Sequence, residues 1–376
     1  MNMNTQRAWV EIDLEALKHN YLIAKKTGKK VMCVVKSDAY GHGAVRCSKY
    51  LEDQGADAFA VACLDEAIIL REGGITRPVL VLGYTDPRFV AELELHDITQ
   101  SLLSEDYALH LNKAAAAAGV KVRTHIQLDT GMSRVGILAQ GQENHVPCAE
   151  AVRRILRLGS LKVEGIYTHL SCADCPDKAD YTKWQVDNFR SVTSLLQEEI
   201  RMNQLLLHAA NSAGILFHPD THFDMVREGC MLYGFPPTGG RKEEQELRPV
   251  LTFRARVGQI KEIPANTYIS YGATYRTEKP ATIAVVTVGY ADSYPRDLSG
   301  KGAWALINGM KCTQIGRICM DQCMFDVTGK NIEVGDEVIL YGGGGALRTE
   351  QIAAMTGTIP HELVCLLTAR VKKFWK

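Results

Sequence analysis

The chain has 376 residues, more than one ordinary hydrophobic core organises, so two domains are expected. Hydrophobic residues make up 46% and charged residues 23%, with 43 basic side chains against 43 acidic ones. That balance gives no single-sign field for nucleic acid or a membrane surface, and no run is long and apolar enough to span a bilayer. The polar start, residues 1–7, lacks the apolar core of a secretory signal. A cytoplasmic enzyme is the expectation, with the soluble domain of a membrane-anchored protein left open. The 11 cysteines are odd in number and sit mostly in apolar runs, as at Cys33 and Cys63. Reduced core residues are expected rather than a disulfide framework. Cys172 and Cys175 have CxxC spacing, and Cys319 and Cys323 come close to it. Each pair alone is too small a ligand set for zinc, and no metal is expected.

Along the chain, a strand-like segment at 8–14 comes first. Eight β-rich apolar runs follow, at 31–36, 58–64, 79–83, 98–102, 124–129, 163–169, 205–211 and 224–229. Helical periodicity fills the intervals, for example at 66–72, 88–95, 105–118 and 183–200. Regular strand–helix alternation implies parallel strands with crossover helices, and about eight units in about 230 residues fit an α/β fold of the (β/α)8 TIM-barrel type. An open doubly wound sheet is the competitor, but no GxGxxG follows the first strand. After Gly234 the texture changes. A Pro/Gly-rich stretch at 236–240 and a charged run to Arg248 read as a linker. Strand patterns then dominate, at 250–263, 281–290, 305–308, 322–327 and 337–341, and only 349–356 and 361–368 look helical. The division is therefore a barrel over 8–240 and a mostly β C-terminal domain over 241–376, with residues 1–14 available to add a strand to the second.

Catalytic groups of a barrel sit at the C-terminal ends of its strands. The first run ends in Lys36, the fifth in Asp129 with Arg134 just beyond, and the sixth in His169. The seventh ends in His208, Asn211 and Ser212, and the eighth contains Arg227 and ends at Gly229. For an isolated lysine, a side chain leaving the core for solvent is the plainer explanation. Polar or cationic groups at so many mouths argue for a site. Lys36 stands at a strand end before a Gly-rich turn into a helix, the rigid and partly desolvated setting that a carbonyl-trapping amine needs.

The segment Val35-Lys36-Ser37-Asp38-Ala39-Tyr40-Gly41-His42-Gly43 resembles the cofactor-lysine motif of alanine racemases, with Ser37 replacing the usual alanine. Collinear matches follow at Asp129-Thr130-Gly131-Met132-Ser133-Arg134, Glu164 to His169, Ala210-Asn211-Ser212 and Val226-Arg227-Glu228-Gly229. They continue at Ser270-Tyr271-Gly272, Gly289-Tyr290-Ala291-Asp292 and Gly316 to Asp321, so the resemblance spans nearly the whole chain.

The resemblance implies pyridoxal 5'-phosphate on Lys36 and a racemase that takes the α-proton from one face of alanine and returns one to the other. It assigns one face to Lys36 and the other to Tyr271 of the partner subunit, which makes the active form a homodimer. It places Arg227 at the pyridine nitrogen, where a guanidinium donates a hydrogen bond without readily giving up its proton. His169 is expected to link Arg227 with Tyr271. Tyr40, Ser212 and the amides of Gly229 and Cys230 are expected on the phosphate, with Asn211 nearby and Arg134 at the phenolic oxygen. The backbone amide of Met320, also from the partner subunit, is expected on the substrate carboxylate, with Asp321 and Tyr290 beside that entry.

Two positions depart from the family pattern. Many members carry a carbamylated lysine where this chain has Gln127, so no carbamate is expected, and the amide is given Arg134 as a hydrogen-bond partner. His361 stands where tyrosine is usual, close to phosphate and substrate. The serine racemase domains associated with vancomycin resistance depart from tyrosine there too, so serine, alone or with alanine, is an alternative substrate. Basic amino-acid decarboxylases on the same barrel and cofactor-binding barrels without turnover are the more distant alternatives. The former place an acid at the pyridine nitrogen and the latter lack a β domain.

Overall fold

A computed structural model of the chain describes residues 6–376; positions 1–5 of the polar start lie outside the described residues. Strand β1 (Ala8–Ile12) precedes the barrel. The barrel staves are β2 (Lys30–Val34), β3 (Ala58–Val61), β4 (Val79–Val81), β5 (Ile98–Leu102) and β6 (Val122–Asp129). A short β7 (Ile137–Leu138) leans on β6, and the circuit continues with β8 (Leu161–Tyr167), β9 (Leu206–His208) and β10 (Met225–Glu228). All these pairings are parallel, and β10 returns to β2, which closes the eight staves. The staves are Val-, Ile- and Ala-rich because both faces are covered, one by barrel interior and one by helices. Val31, Phe59, Ile126 and Val226 are all fully buried.

Differences from the sequence-based expectation are local. The 183–200 helix is two helices, Ala179–Leu195 and Gln197–Asn203. Leu196, fully buried with φ −108 and ψ 14, breaks the spiral between them. Lys36 and His169 lie just past their strands.

The second unit contains β11 (Leu251–Ile263), β12 (Tyr268–Ile269), β13 (Tyr275–Arg276), β14 (Ala281–Val286) and β15 (Trp304–Ile307). It continues with β16 (Met310–Ile315), β17 (Cys323–Asp326), β18 (Glu337–Tyr341) and β19 (Lys372–Trp375). Strand β1 pairs antiparallel with β11 and parallel with β19, so the first described strand belongs to this sheet. Strands β16 and β19 escape the sequence reading. Their polar and charged residues, such as Lys311, Lys372 and Lys373, mask the alternation. Strand β19 also reaches the barrel. The Trp375 indole donates to the His42 carbonyl at 2.9 Å, and Lys373 pairs with Asp38 at 2.6 Å.

Candidate active site

Lys36 follows β2 at the C-terminal mouth of the barrel. The four residues after it, Ser37 to Tyr40, have φ of 53, 53, 54 and 52°. This is a left-handed turn built from residues with side chains, at about 1–2 kcal/mol each. Its surroundings hold it. Glu66 accepts from the Ser37 amide at 2.6 Å, and Asp38 accepts from the Ala44 amide at 2.7 Å. His42 is buried and bonds back to the Ala39 and Tyr40 carbonyls through Nδ1. Gly41 must be glycine, since a Cβ there would lie 2.1 Å from the Val364 carbonyl oxygen. A turn so constrained fixes where Lys36 leaves the backbone. Burial and the Arg134 charge both push the half-buried Lys36 amine below its usual pKa, which favours the neutral nucleophile.

A cavity of about 840 Å³ opens over this amine. Tyr40, Arg134, His169, Asn211, Ser212, Arg227, Gly229, Cys230 and His361 all line it with Lys36. Ser212 Oγ accepts from the Gly229 and Met231 amides at 3.0 and 3.3 Å, which leaves its own proton free to donate. A Cβ on Gly229 would sit 3.4 Å from the Tyr40 hydroxyl and 3.7 Å from Ser212 Oγ, so the three converge on one spot. Burial keeps the Tyr40 phenol protonated, as a donor. Asn211 is largely spent on the fold: it caps the helix Ser212–Phe217 through the Gly214 amide and donates to the Leu170 carbonyl.

Arg227, on β10 next to the Lys36 stave, also lines the cavity; it is buried and pairs with no carboxylate among the described residues. Its guanidinium donates to the carbonyls of Thr168 (2.8 Å) and Ala209 (3.0 Å), to His208 Nδ1 (2.9 Å) and to His169 Nδ1 (3.2 Å). Burial lowers it to about 10, so it stays charged at neutral pH. An arginine has no acceptor, so His208 must present a bare Nδ1 and carry its proton on Nε2. That proton meets His125 Nδ1 at 2.9 Å. Burial, then the Arg227 charge, hold His169 down to about 3 and His208 well below its usual range. Burial lowers His125 to about 4. A row of neutral imidazoles thus takes the place of a counterion. Sequence reading overlooked His125, although its spacing from Gln127 puts the two on one face of β6. Gln127 does not take Arg134 as its partner: its Oε1 accepts from the Tyr167 hydroxyl at 2.8 Å, which also meets Ser101 Oγ at 2.8 Å. Tyr167 stacks on His208, and this buried packing claims the amide before the exposed Arg134 can.

The remaining expected residues lie elsewhere. Tyr271, Tyr290, Met320 and Asp321 sit on the second unit and do not line this cavity. Tyr271 is 71% exposed. The link expected from His169 therefore reaches Arg227 and not the Tyr271 of its own chain. The loops of Tyr290 and Met320 are stitched together by the Tyr290 amide to the Cys319 carbonyl (3.1 Å) and the Ala291 amide to the Met320 carbonyl (3.0 Å). Arg317 packs over Gly272, next to Tyr271, and Asp321 pairs with Arg370 at 2.7 Å. Among the described residues no three His, Cys, Asp or Glu side chains gather as a metal site, and no helix is long and apolar enough to cross a membrane.

Comparison with known proteins agrees with this architecture. Residues 12–237 match the family model for the alanine racemase N-terminal domain, and residues 250–375 match that for the C-terminal domain. An alanine racemase of Methanococcus maripaludis is 42% identical over 374 residues, covering 98% of both chains. One of Clostridium novyi is 41% identical over 374 residues, covering 98% of this chain and 95% of that one. The solved alanine racemase of Clostridium difficile 630 has a TM-score of 0.90 at 36% identity, covering 99% of this chain and 96% of its own. That of E. faecalis has a TM-score of 0.87 at 33% identity, covering 99% and 98%. Family models over nearly the whole length and full-length relatives well above 30% identity place the chain in the alanine racemase family.

Proposed function

We propose that this chain interconverts L- and D-alanine, with pyridoxal phosphate carried on Lys36, as a cytoplasmic homodimer whose subunits share their active sites. The observation that carries this reading is Arg227, a buried cation that lines the same cavity as the lysine and is bonded only to neutral acceptors. An enzyme that protonates its cofactor ring needs an acid there, which disfavours the decarboxylase alternative. The nearby Glu228 does not serve, because successive strand residues face opposite sides and it points to the helix layer. The cavity suits the cofactor: Tyr40, Ser212 and the Gly229 amide region for phosphate, Arg134 for the phenolic oxygen, and Arg227 for the ring nitrogen. When bound there, pyridoxal phosphate supplies an aldehyde for the substrate amine and a ring that withdraws electrons from the α-carbon.

The chain's own groups do the rest. The Lys36 amine, depressed by burial, takes or returns the α-proton at Nζ on one face. The phenol oxygen of Tyr271 of the partner subunit does so on the other. Arg227 would hold the ring nitrogen through an N–H, and its guanidinium would keep that proton. The backbone amide of Met320 of the partner subunit orients the carboxylate. A second reading, activity on serine, is favoured by His361. This ring lies in the cavity 5.5 Å from the Tyr40 ring, burial and Lys36 hold it neutral, and its Nδ1 has no partner among the described residues. A site that can pair a hydroxyl gains on serine relative to alanine. Chiral analysis of products from L-alanine and L-serine tests both readings. A background rate of D-alanine formation defeats the first. A background serine rate, in His361→Tyr and the parent alike, defeats the second.

A further inference from the structure

The Cys172/Cys175 pair belongs neither to a metal site nor to the chemistry above. It sits on the loop that follows His169. The Cys175 amide donates to the Cys172 carbonyl at 2.9 Å, closing a four-residue turn with one cysteine at each end. Such a turn brings its ends within about 7 Å, and a disulfide spans about 4.4–6.8 Å between Cα atoms. Cys175 is exposed and Cys172 half-buried, so a reagent reaches the first and the second lies behind it.

The turn is joined to the active site at several points. Ser171 and Asp174 line the cavity. His169 at its start bonds Arg227, the Leu170 carbonyl accepts from Asn211, and the Ala173 carbonyl meets His218 Nε2 at 3.0 Å. Leu170 and Ala173 are buried against Ala213, the residue after Ser212. A change in the turn is therefore passed to both the Arg227 side and the Ser212 side of the cavity.

We propose that Cys172 and Cys175 form a reversible disulfide that lowers turnover, with a low-molecular-weight disulfide such as oxidised glutathione as the oxidant. The Cys175 thiolate attacks one sulfur of the oxidant and expels the first thiolate. Cys172, losing its proton to solvent, then attacks Cys175 Sγ and expels the second. One S–S bond is broken and one formed; the two cysteines are oxidised, the small disulfide is reduced to two thiols, and the protons balance through solvent. Bond formation brings the sulfurs to about 2.05 Å and draws Ser171 and Asp174 with them. The Asp174 carboxylate beside Cys175 raises its thiol above the usual range, so the trap is slow at neutral pH and fires under sustained oxidation. A cytosolic disulfide of this kind serves redox sensing rather than folding.

The test treats holoenzyme with glutathione buffers of rising oxidised fraction, maps the unreduced tryptic peptide 163–178 by mass, and follows turnover. The expected result is loss of two hydrogens from that one peptide and a fall in turnover of about tenfold, since a displacement of about 1 Å in positioning groups costs up to about a hundredfold. Dithiothreitol reverses both. Cys172→Ser and Cys175→Ser keep basal turnover; Cys175→Ser ignores the oxidant, Cys172→Ser stops at glutathione on Cys175 without the fall in turnover, and Asp174→Asn is oxidised faster. The proposal is overturned if the peptide keeps two free thiols, if glutathione stays on Cys175 unresolved, if closure leaves turnover unchanged, or if Cys172→Ser is inhibited as the parent is. The peptide map needs no turnover, so it stands apart from the assigned activity.

Discussion

The barrel mouth and the face around Tyr271 are physically opposite. At the mouth, Arg227 is 3% exposed and its hydrogen bonds go to neutral groups; around Tyr271 the phenol is 71% exposed, and Met320 on the same unit is half-exposed. One region is finished inside a single chain and the other is not. On the proposed function, in which Tyr271 moves a proton and so needs a water-poor pocket near its substrate, the exposed face is half of a site that the other region on a second copy would complete. The strongest way to break this comparison is complementation. Lys36→Ala removes the covalent anchor and one base, with an expected loss of about 10⁴-fold or more, and Tyr271→Phe removes the other base, with a loss of about 10²–10⁴-fold. Co-expressed, the two variants form mixed dimers in which one site has Lys36 from one copy and Tyr271 from the other. Random pairing then returns about a quarter of parental activity. No recovery in the mixed sample, with dimers present, would place both groups in one chain's site and discard the shared arrangement.

The same contrast separates the regions by pH. His125 and His208 are buried and neutral in the folded chain, with His125 lowered to about 4 and His208 held well below its usual range by burial and the Arg227 charge. In the unfolded chain both titrate near 6.5. Between those values the unfolded state binds more protons, so stability is lost as pH falls from about 6.5 toward 4, by up to about 1.4 kcal/mol per pH unit for each histidine. Denaturant unfolding of cofactor-saturated protein at fixed concentration measures the slope. His125→Asn, whose amide oxygen can accept from His208, is expected to remove roughly one histidine's share. Tyr271→Phe is expected to leave the slope alone. An unchanged slope in His125→Asn would mean that the imidazole row does not titrate as a buried unit.

The barrel is far more legible in sequence than the second unit, for reasons that lie in particular residues. Parallel staves read as continuous apolar runs, and polar groups mark their ends, so Lys36, Arg134, His169 and Arg227, which line one cavity, stand out in the sequence. The Lys36 turn is readable as a turn from Gly41 and Gly43, but its left-handedness is not. Ser37 to Tyr40 adopt it only because Glu66, Asp38 and the distant Val364 and Trp375 require it. The Gln127 partner is likewise decided by Tyr167 arriving from the next stave. Strands with one wet face read weakly, so the antiparallel β16 and the edge strand β19, which pairs parallel with β1, go unseen. The role proposed for Tyr271 is invisible to periodicity and enters only through the family motif.

Two neighbours on β10 bring the contrast to its smallest scale. Arg227 faces the cavity and stays charged because imidazoles and carbonyls solvate it. Glu228, one residue on, is fully buried toward the helix layer, and neither carboxyl oxygen has a hydrogen-bond partner among the described residues. An unsolvated carboxylate there is prohibitive, so burial raises its pKa well above the usual range and the group is a neutral acid. The sign is opposite to that of the histidines. Above about pH 4.5 the unfolded chain ionises this residue while the folded chain keeps the proton, so folding loses stability as pH rises, by up to about 1.4 kcal/mol per pH unit. Glu228→Gln keeps the shape and removes the titration. The variant is expected to match the parent near pH 4 and to gain on it steadily toward pH 8, with turnover unchanged because the side chain points away from the cavity. Equal stability of variant and parent at both pH values would show that Glu228 is ionised and solvated in the folded chain, and the difference between the two faces of β10 would be one of direction rather than of charge.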